Sequence, residues 1–153
     1  MKRFLALLMA LAVILFTLSL PISASDEIKV MLDGKEISFD VPPQIINGRT
    51  MVPIRAVFEA LGATLEWNAA TRTAKATIDD YVVECTIDSK TMTACGEKIE
   101  MDVAPLIVDG RTLMPIRYAA EAFSCKVGWA EPIRTAFITS YGYVSNAPSN
   151  GVQ

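Results

Sequence analysis

No histidine occurs anywhere in the 153 residues. The chain therefore lacks the side chain most used for proton transfer near neutral pH and for holding zinc or copper, and acid–base work would fall to carboxylates. Cysteine offers no replacement, because Cys85, Cys95 and Cys125 form no CxxC pair. No glycine-rich phosphate loop and no GxSxG sequence is present. The adjacent acids Asp79 and Asp80 fall between two strand patterns and read as a solvated turn, not a catalytic pair. The expectation is a chain with no cofactor, no metal and no reaction centre.

Basic charge is also scarce. The sequence carries 14 Lys and Arg against 17 Asp and Glu, and without Lys2 and Arg3 the balance is 12 against 17. Attraction of nucleic acid or an anionic membrane by bulk charge is thereby excluded, although a local basic patch is not. Three cysteines are an odd set, and one bridge plus a free thiol and three free thiols both fit the sequence. Strict alternation with Ile87 and Met92 facing inward would put Cys85 inward and Cys95 outward, against a bridge between them.

One long apolar run is present, Phe4–Leu20, broken only by Thr17 and Ser19. Lys2 and Arg3 precede it, and Pro21-Ile22-Ser23-Ala24-Ser25 follows with a breaker and small residues. That is the layout of a secretory signal peptide over 1–25, cleaved after Ala24 or Ser25. Membrane attachment is expected only if this leader stays uncleaved. The remainder, 128 residues from 26 to 153, fits one ordinary domain.

What the chain does contain, it contains twice. Residues 47–67 read NGRTMVPIRAVFEALGATLEW and residues 109–129 read DGRTLMPIRYAAEAFSCKVGW, with a constant offset of 62. From Asn47/Asp109 to Thr77/Thr139 there are 13 identities in 31 pairs, and the 19 preceding pairs add 6. Self-similarity at a fixed period means two copies of one supersecondary unit. Within each copy the patterns read hairpin, helix, hairpin. Asp33-Gly34 and Asn47-Gly48 are tight-turn signals between apolar segments. Pro53 is placed to open a helix, with Ile54, Val57, Phe58 and Leu61 on one face and Gly62 as a left-handed cap. Thr64–Trp67, Arg72–Ile78, Tyr81–Ile87 and Thr91–Ala94 read as strands. Glu97–Met101, a helix over Pro115–Phe123, Lys126–Trp129 and Arg134–Thr139 repeat the order, with Ser124 where copy one has Gly62. A last extended piece is expected at Tyr141–Val144, inside a polar tail.

The expected fold is therefore α+β. Two pseudo-symmetric repeats, 28–78 and 90–139, make one domain over 26–140, with antiparallel sheet packed on two short helices and a flexible tail over 141–153. The helices exchange large and small residues: Ala56, Phe58 and Leu61 face Tyr118, Ala120 and Phe123 in the alignment. Such a swap suits two helices sharing a core of fixed volume.

Two sets of paired residues are candidates for function. Arg55 and Arg117 lie in the first turn of their helices, each with a glutamate four residues on, Glu59 and Glu121, in the weaker orientation of that pair. Asp40 and Asp102, also present in both copies, are the expected partners through bidentate hydrogen bonds, which would make the arginines internal braces. The competing reading gives these guanidinium groups a ligand carboxylate or phosphate. Trp67 and Trp129 end equivalent strands, and would either lid the core or offer a flat face to a sugar ring; the lid is the favoured reading. Arg49-Thr50 and Arg111-Thr112 read only as loop closure.

At these residues the chain resembles the copper amine oxidase N-terminal (stalk) domain family. The resemblance rests on Leu32-Asp33-Gly34-Lys35, Asn47–Arg55, Glu59–Ala63, Trp67 and Thr71–Ala74, and in copy two on Asp102–Pro105, Asp109–Arg117, Glu121-Ala122, Trp129 and Arg134–Ala136. Departures fall at Phe123-Ser124-Cys125 and Glu131-Pro132-Ile133. The resemblance implies a secreted or wall-associated module with an antiparallel sheet curled around a helix, and no catalysis of its own. The copper chemistry does not come across, since it needs three histidine ligands. The functional expectation is an exported, non-enzymatic binding or scaffolding module whose partner is cell-wall glycan or another surface protein. The alternative is a small carboxylate-dependent hydrolase acting on cell-wall polymer, and homodimerisation through short strand edges is a further expectation.

Overall fold

The structure, a computed structural model, describes residues 26–141. The leader, the tail from 142 onward and most of the extended piece expected at Tyr141–Val144 lie outside the described residues. Thirteen strands and two short helices are described, and they build three sheets.

Copy one supplies β1 (Lys29–Leu32), β2 (Lys35–Glu36), β3 (Gln44–Ile46), β4 (Arg49–Pro53), α1 (Ile54–Ala60), β5 (Thr64–Asn68) and β6 (Thr73–Ile78). β7 (Tyr81–Thr86) follows. Copy two supplies β8 (Thr91–Ala94), β9 (Glu97–Glu100), β10 (Leu106–Val108), β11 (Arg111–Pro115), α2 (Ile116–Glu121), β12 (Lys126–Ala130) and β13 (Thr135–Thr139), with a 3-10 turn at Glu131–Ile133.

The tight turns form where two-residue signals stand. Asn47 and Gly48 have φ of 51° and 72°, and Asp109 and Gly110 have 47° and 73°. Two successive positive φ values twist the chain to match its flanking strands, which fixes the β3–β4 and β10–β11 hairpins. Cys95 (φ 49°) and Gly96 do the same between β8 and β9, a turn whose first residue gives no sequence signal.

The helices are shorter than their periodicity implies, seven and six residues. Pro53 and Pro115 do not open them from inside. Each keeps an extended ψ, 115° and 127°, and ends the preceding strand. Both helices close by the same pair of bonds. Gly62 N–H donates to Glu59 O and Ala63 N–H to Phe58 O, while Ser124 N–H donates to Glu121 O and Cys125 N–H to Ala120 O. That is the Schellman arrangement, and it needs a left-handed residue at Gly62 (φ 90°) and Ser124 (φ 59°).

Every sheet takes strands from both copies. The orders are β12-β13-β1-β2, β10-β11-β4-β3 and β5-β6-β7-β8-β9. At the centre, β4 and β11 run antiparallel with Val52 opposite Met114, its own counterpart 62 residues on, and both are fully buried. The fold is thus mostly antiparallel sheet with two short helices, but not one sheet. One pair is also parallel, β1 with β13. The hairpin β1–β2 crosses to the strands of copy two, and β8–β9 crosses to those of copy one. β7 stands between β6 and β8, whereas β13 meets β1 directly, so the two outer sheets differ in size.

The core lies between the sheets and helices. Phe58 is buried against Phe123, ring edge to ring face at 5.4 Å and 78°, and the Tyr81 ring also lies 5.8 Å from that of Phe123. The counterpart of Phe58 is Ala120, also buried. The exchange of large for small along the helices therefore fills one shared space. Ser140 is tied down as well, its N–H and Oγ donating to Asp33 at 2.9 and 2.6 Å.

Ser124 holds a conformation that suits glycine. Ser124→Gly is expected to raise stability by about 1 kcal/mol, read as a higher denaturation midpoint. A lower midpoint would mean that the serine side chain contributes more than its backbone costs.

Candidate functional site

The antiparallel β4–β11 pairing points the β3–β4 turn past Pro115, toward the helix and loop of copy two, and points the β10–β11 turn back toward copy one. The arginines at these turns meet the aspartates of the opposite copy. Arg111 donates to Asp40 from Nε at 2.6 Å, with its Nη2 2.6 Å from the same oxygen. Arg49 Nε donates to Asp102 in the mirrored contact. Each guanidinium also donates to the glycine carbonyl before it, Gly110 O at 3.4 Å and Gly48 O at 3.2 Å. Asp40 accepts from Val41 N–H at 2.9 Å, and Tyr118 Oη accepts from Asp102 N–H at 3.3 Å.

This corrects the sequence expectation for Arg55 and Arg117. Neither meets Asp40 or Asp102. Arg55 donates to Glu59 on its own helix at 3.3 Å, and Arg117 stands 4.0 Å from Glu121. The bracing role belongs to Arg49 and Arg111, which the sequence reading treated as loop closure. The available signal was the recurrence of an arginine after each turn glycine, together with an aspartate in each copy. Sequence alone does not say which of two identical partners, near or far, each one takes.

The tryptophans sit at the rim of the core. Trp67 pairs with Ala74 at the edge of its sheet and is 41% exposed; Trp129 pairs with Ala136 and is 38% exposed. Both indoles are exposed, neither is part of the buried core cluster, and each lines a cleft. Each shares its cleft with an exposed isoleucine of the other copy, Ile107 (46%) with Trp67 and Ile45 (49%) with Trp129.

Two clefts result, and their linings match at an offset of 62. The first, about 310 Å³, has Ile54, Arg55 and Trp67 from copy one, and Ile107, Arg111 and Thr112 from copy two. The second, about 530 Å³, has Ile116, Arg117 and Trp129 from copy two, and Ile45, Arg49 and Thr50 from copy one. Neither cleft has walls from one copy alone. The first is lined by two arginines and no carboxylate. The second adds Arg134, Asp102 and Glu131. Asp102 is held by Arg49, and Glu131 accepts the indole N–H of Trp129.

The thiols stand apart from both clefts. Cys85 is buried, Cys95 exposed and Cys125 buried, and all three are free. Burial pushes the Cys85 thiol up to about 12, and burial followed by the nearby Asp33 raises Cys125. A thiol so displaced stays protonated and unreactive at neutral pH.

The crossed braces have a pH signature. The arginine hydrogen bond is the main cause that holds Asp40 and Asp102 below the ordinary aspartate range, with desolvation opposing it. A carboxylate depressed on folding contributes stability above its unfolded pKa and loses it as pH falls through the folded value. The denaturation midpoint of the native sequence should fall more steeply below about pH 4 than that of Asp40→Asn/Asp102→Asn, the two curves converging at the acid end. Curves that stay parallel would show that the braces have no native-state preference.

The family model for the copper amine oxidase N-terminal domain matches residues 31–138. No curated protein matches the chain. The matched span covers both copies, from β1 to β13, with the turn arginines, both helices and both tryptophans inside it. The chain therefore belongs to the copper amine oxidase N-terminal domain family, a non-catalytic stalk-type domain.

Proposed function

We propose that the chain is an exported, non-enzymatic binding module that holds cell-wall glycan or a cell-surface protein in the two clefts between its copies. The observation that carries this reading is the pair of half-exposed tryptophans, each set against an exposed isoleucine of the other copy. Large apolar side chains exposed together in one cleft are a common mark of a binding site. Export is supported by the leader-like sequence over 1–25. The Val52–Met114 contact supports a pseudo-twofold axis relating the copies, which would make the clefts two versions of one site.

The hydrolase alternative asks for more than the clefts offer. Hydrolysis of a glycosidic bond takes two carboxyl groups flanking it, one with a raised pKa. The first cleft is lined by no carboxylate, and in the second Asp102 and Glu131 are each engaged by a donor.

The test is retention of the leader-free chain, 26–153, on purified peptidoglycan and on isolated surface proteins. Retention on one of these, weakened at least about tenfold by Trp67→Ala/Trp129→Ala, is the expected result. Retention on neither, or retention indifferent to both tryptophans, would remove the proposal.

A further inference from the structure

Arg55 and Arg117 have lost the structural role that the sequence gave them. The crossed contacts are made by Arg49 and Arg111, whose guanidinium groups are spent on an aspartate and a carbonyl. Arg55 makes one hydrogen bond, at 3.3 Å, to an exposed glutamate of its own helix. Arg117 is separated from its glutamate by 4.0 Å, beyond hydrogen-bonding distance. A guanidinium has five N–H donors in a planar fork shaped for a carboxylate or phosphate. In both copies most of that fork is unspent, and in both it stands in the same cleft as an exposed tryptophan.

We propose that the two clefts are matched subsites for one acidic polysaccharide, each stacking a sugar ring on its tryptophan and taking that ring's carboxylate on its helix arginine, Arg55 or Arg117. The inference rests on the binding-module reading and names its ligand. An indole face suits the apolar face of a pyranose, which is why one end of the recognition is apolar and the other wet. A neutral glycan would leave the arginine forks to water. A carboxylate converts them to bidentate, charge-assisted bonds, about twice as strong as neutral ones. The chain's overall acidity opposes a polyanion at long range, so this attraction is local: in the first cleft Arg111 is held by Asp40, and Arg55, which shares one bond at 3.3 Å with the exposed Glu59, is the cation left for a ligand. The second cleft differs by one further arginine, Arg134, and by Glu131, which already holds the Trp129 indole N–H.

The chain's two tryptophans, one per cleft, make each site its own reporter. Trp129→Phe leaves Trp67 to read the first cleft, and Trp67→Phe leaves Trp129 to read the second. Each protein is titrated with oligogalacturonate and with its fully methyl-esterified form, following indole emission. The acid form should change emission in both, about tenfold or more tighter than the ester. Arg55→Gln should weaken the Trp67 signal about tenfold and leave the Trp129 signal unaltered, and Arg117→Gln the reverse. Both arginines are exposed, so an unchanged melting midpoint shows that the variants are folded. Equal affinity for acid and ester, an acid preference that survives both glutamine variants, or no emission change would each overturn the proposal. If wall material or a surface protein still binds through the tryptophans, the binding-module reading stands and only the acidic polysaccharide falls.

Discussion

The pairing of β4 with β11 is the contact on which the other features depend. It sets Val52 directly against Met114 in the middle of the molecule and buries both completely. Antiparallel pairing through that point sends each copy's turn toward the other copy. From this follow the crossed contacts of Arg49 with Asp102 and of Arg111 with Asp40. The exchange of hairpins has the same sense, since β1–β2 completes the sheet of β12–β13 while β8–β9 completes that of β5–β6 through β7. A half-chain would keep its own hairpins but lose a partner in every sheet. Two-stranded hairpins and helices of six or seven residues are marginal alone, so cooperativity between the copies is the source of their order.

The same arrangement makes the clefts. A strand-edge tryptophan from one copy and a strand isoleucine from the other line the same cleft only when both copies are folded together. The clefts are therefore built by both copies together, and neither copy holds one in advance. Ion pairs this exposed contribute little stability in water. Their effect is better described as fixing the angle at which each turn is held over the opposite cleft.

Much of this was legible in the sequence because the signals were local. Asn47-Gly48 and Asp109-Gly110 specify their turns by backbone chemistry alone, and Gly62 with its counterpart Ser124 marks both helix ends. The swap of Phe58 for Ala120 and of Leu61 for Phe123 pointed to a shared core, and Phe58 does meet Phe123 there. The partners of Asp40 and Asp102 were not legible. A repeat offers each aspartate equivalent arginines in its own copy and in the other, and only the three-dimensional pairing of β4 and β11 breaks that degeneracy. The parallel β1–β13 contact was hidden for the same reason, being 106 residues long-range in its Lys29–Thr135 register. The prolines misled by one position, since Pro53 and Pro115 satisfy a strand end as well as a helix start.

The central claim is that two copies of one sequence make a single cooperative body. The most direct measurement follows denaturant unfolding through each tryptophan separately, with Trp129→Phe leaving Trp67 in the β5-β6-β7-β8-β9 sheet and Trp67→Phe leaving Trp129 in the β12-β13-β1-β2 sheet. Two reporters on one cooperative unit give coincident transitions with the same denaturant slope as backbone circular dichroism. Separate transitions at the two tryptophans, each with a smaller slope, would mean that the copies fold as independent lobes and would contradict the account.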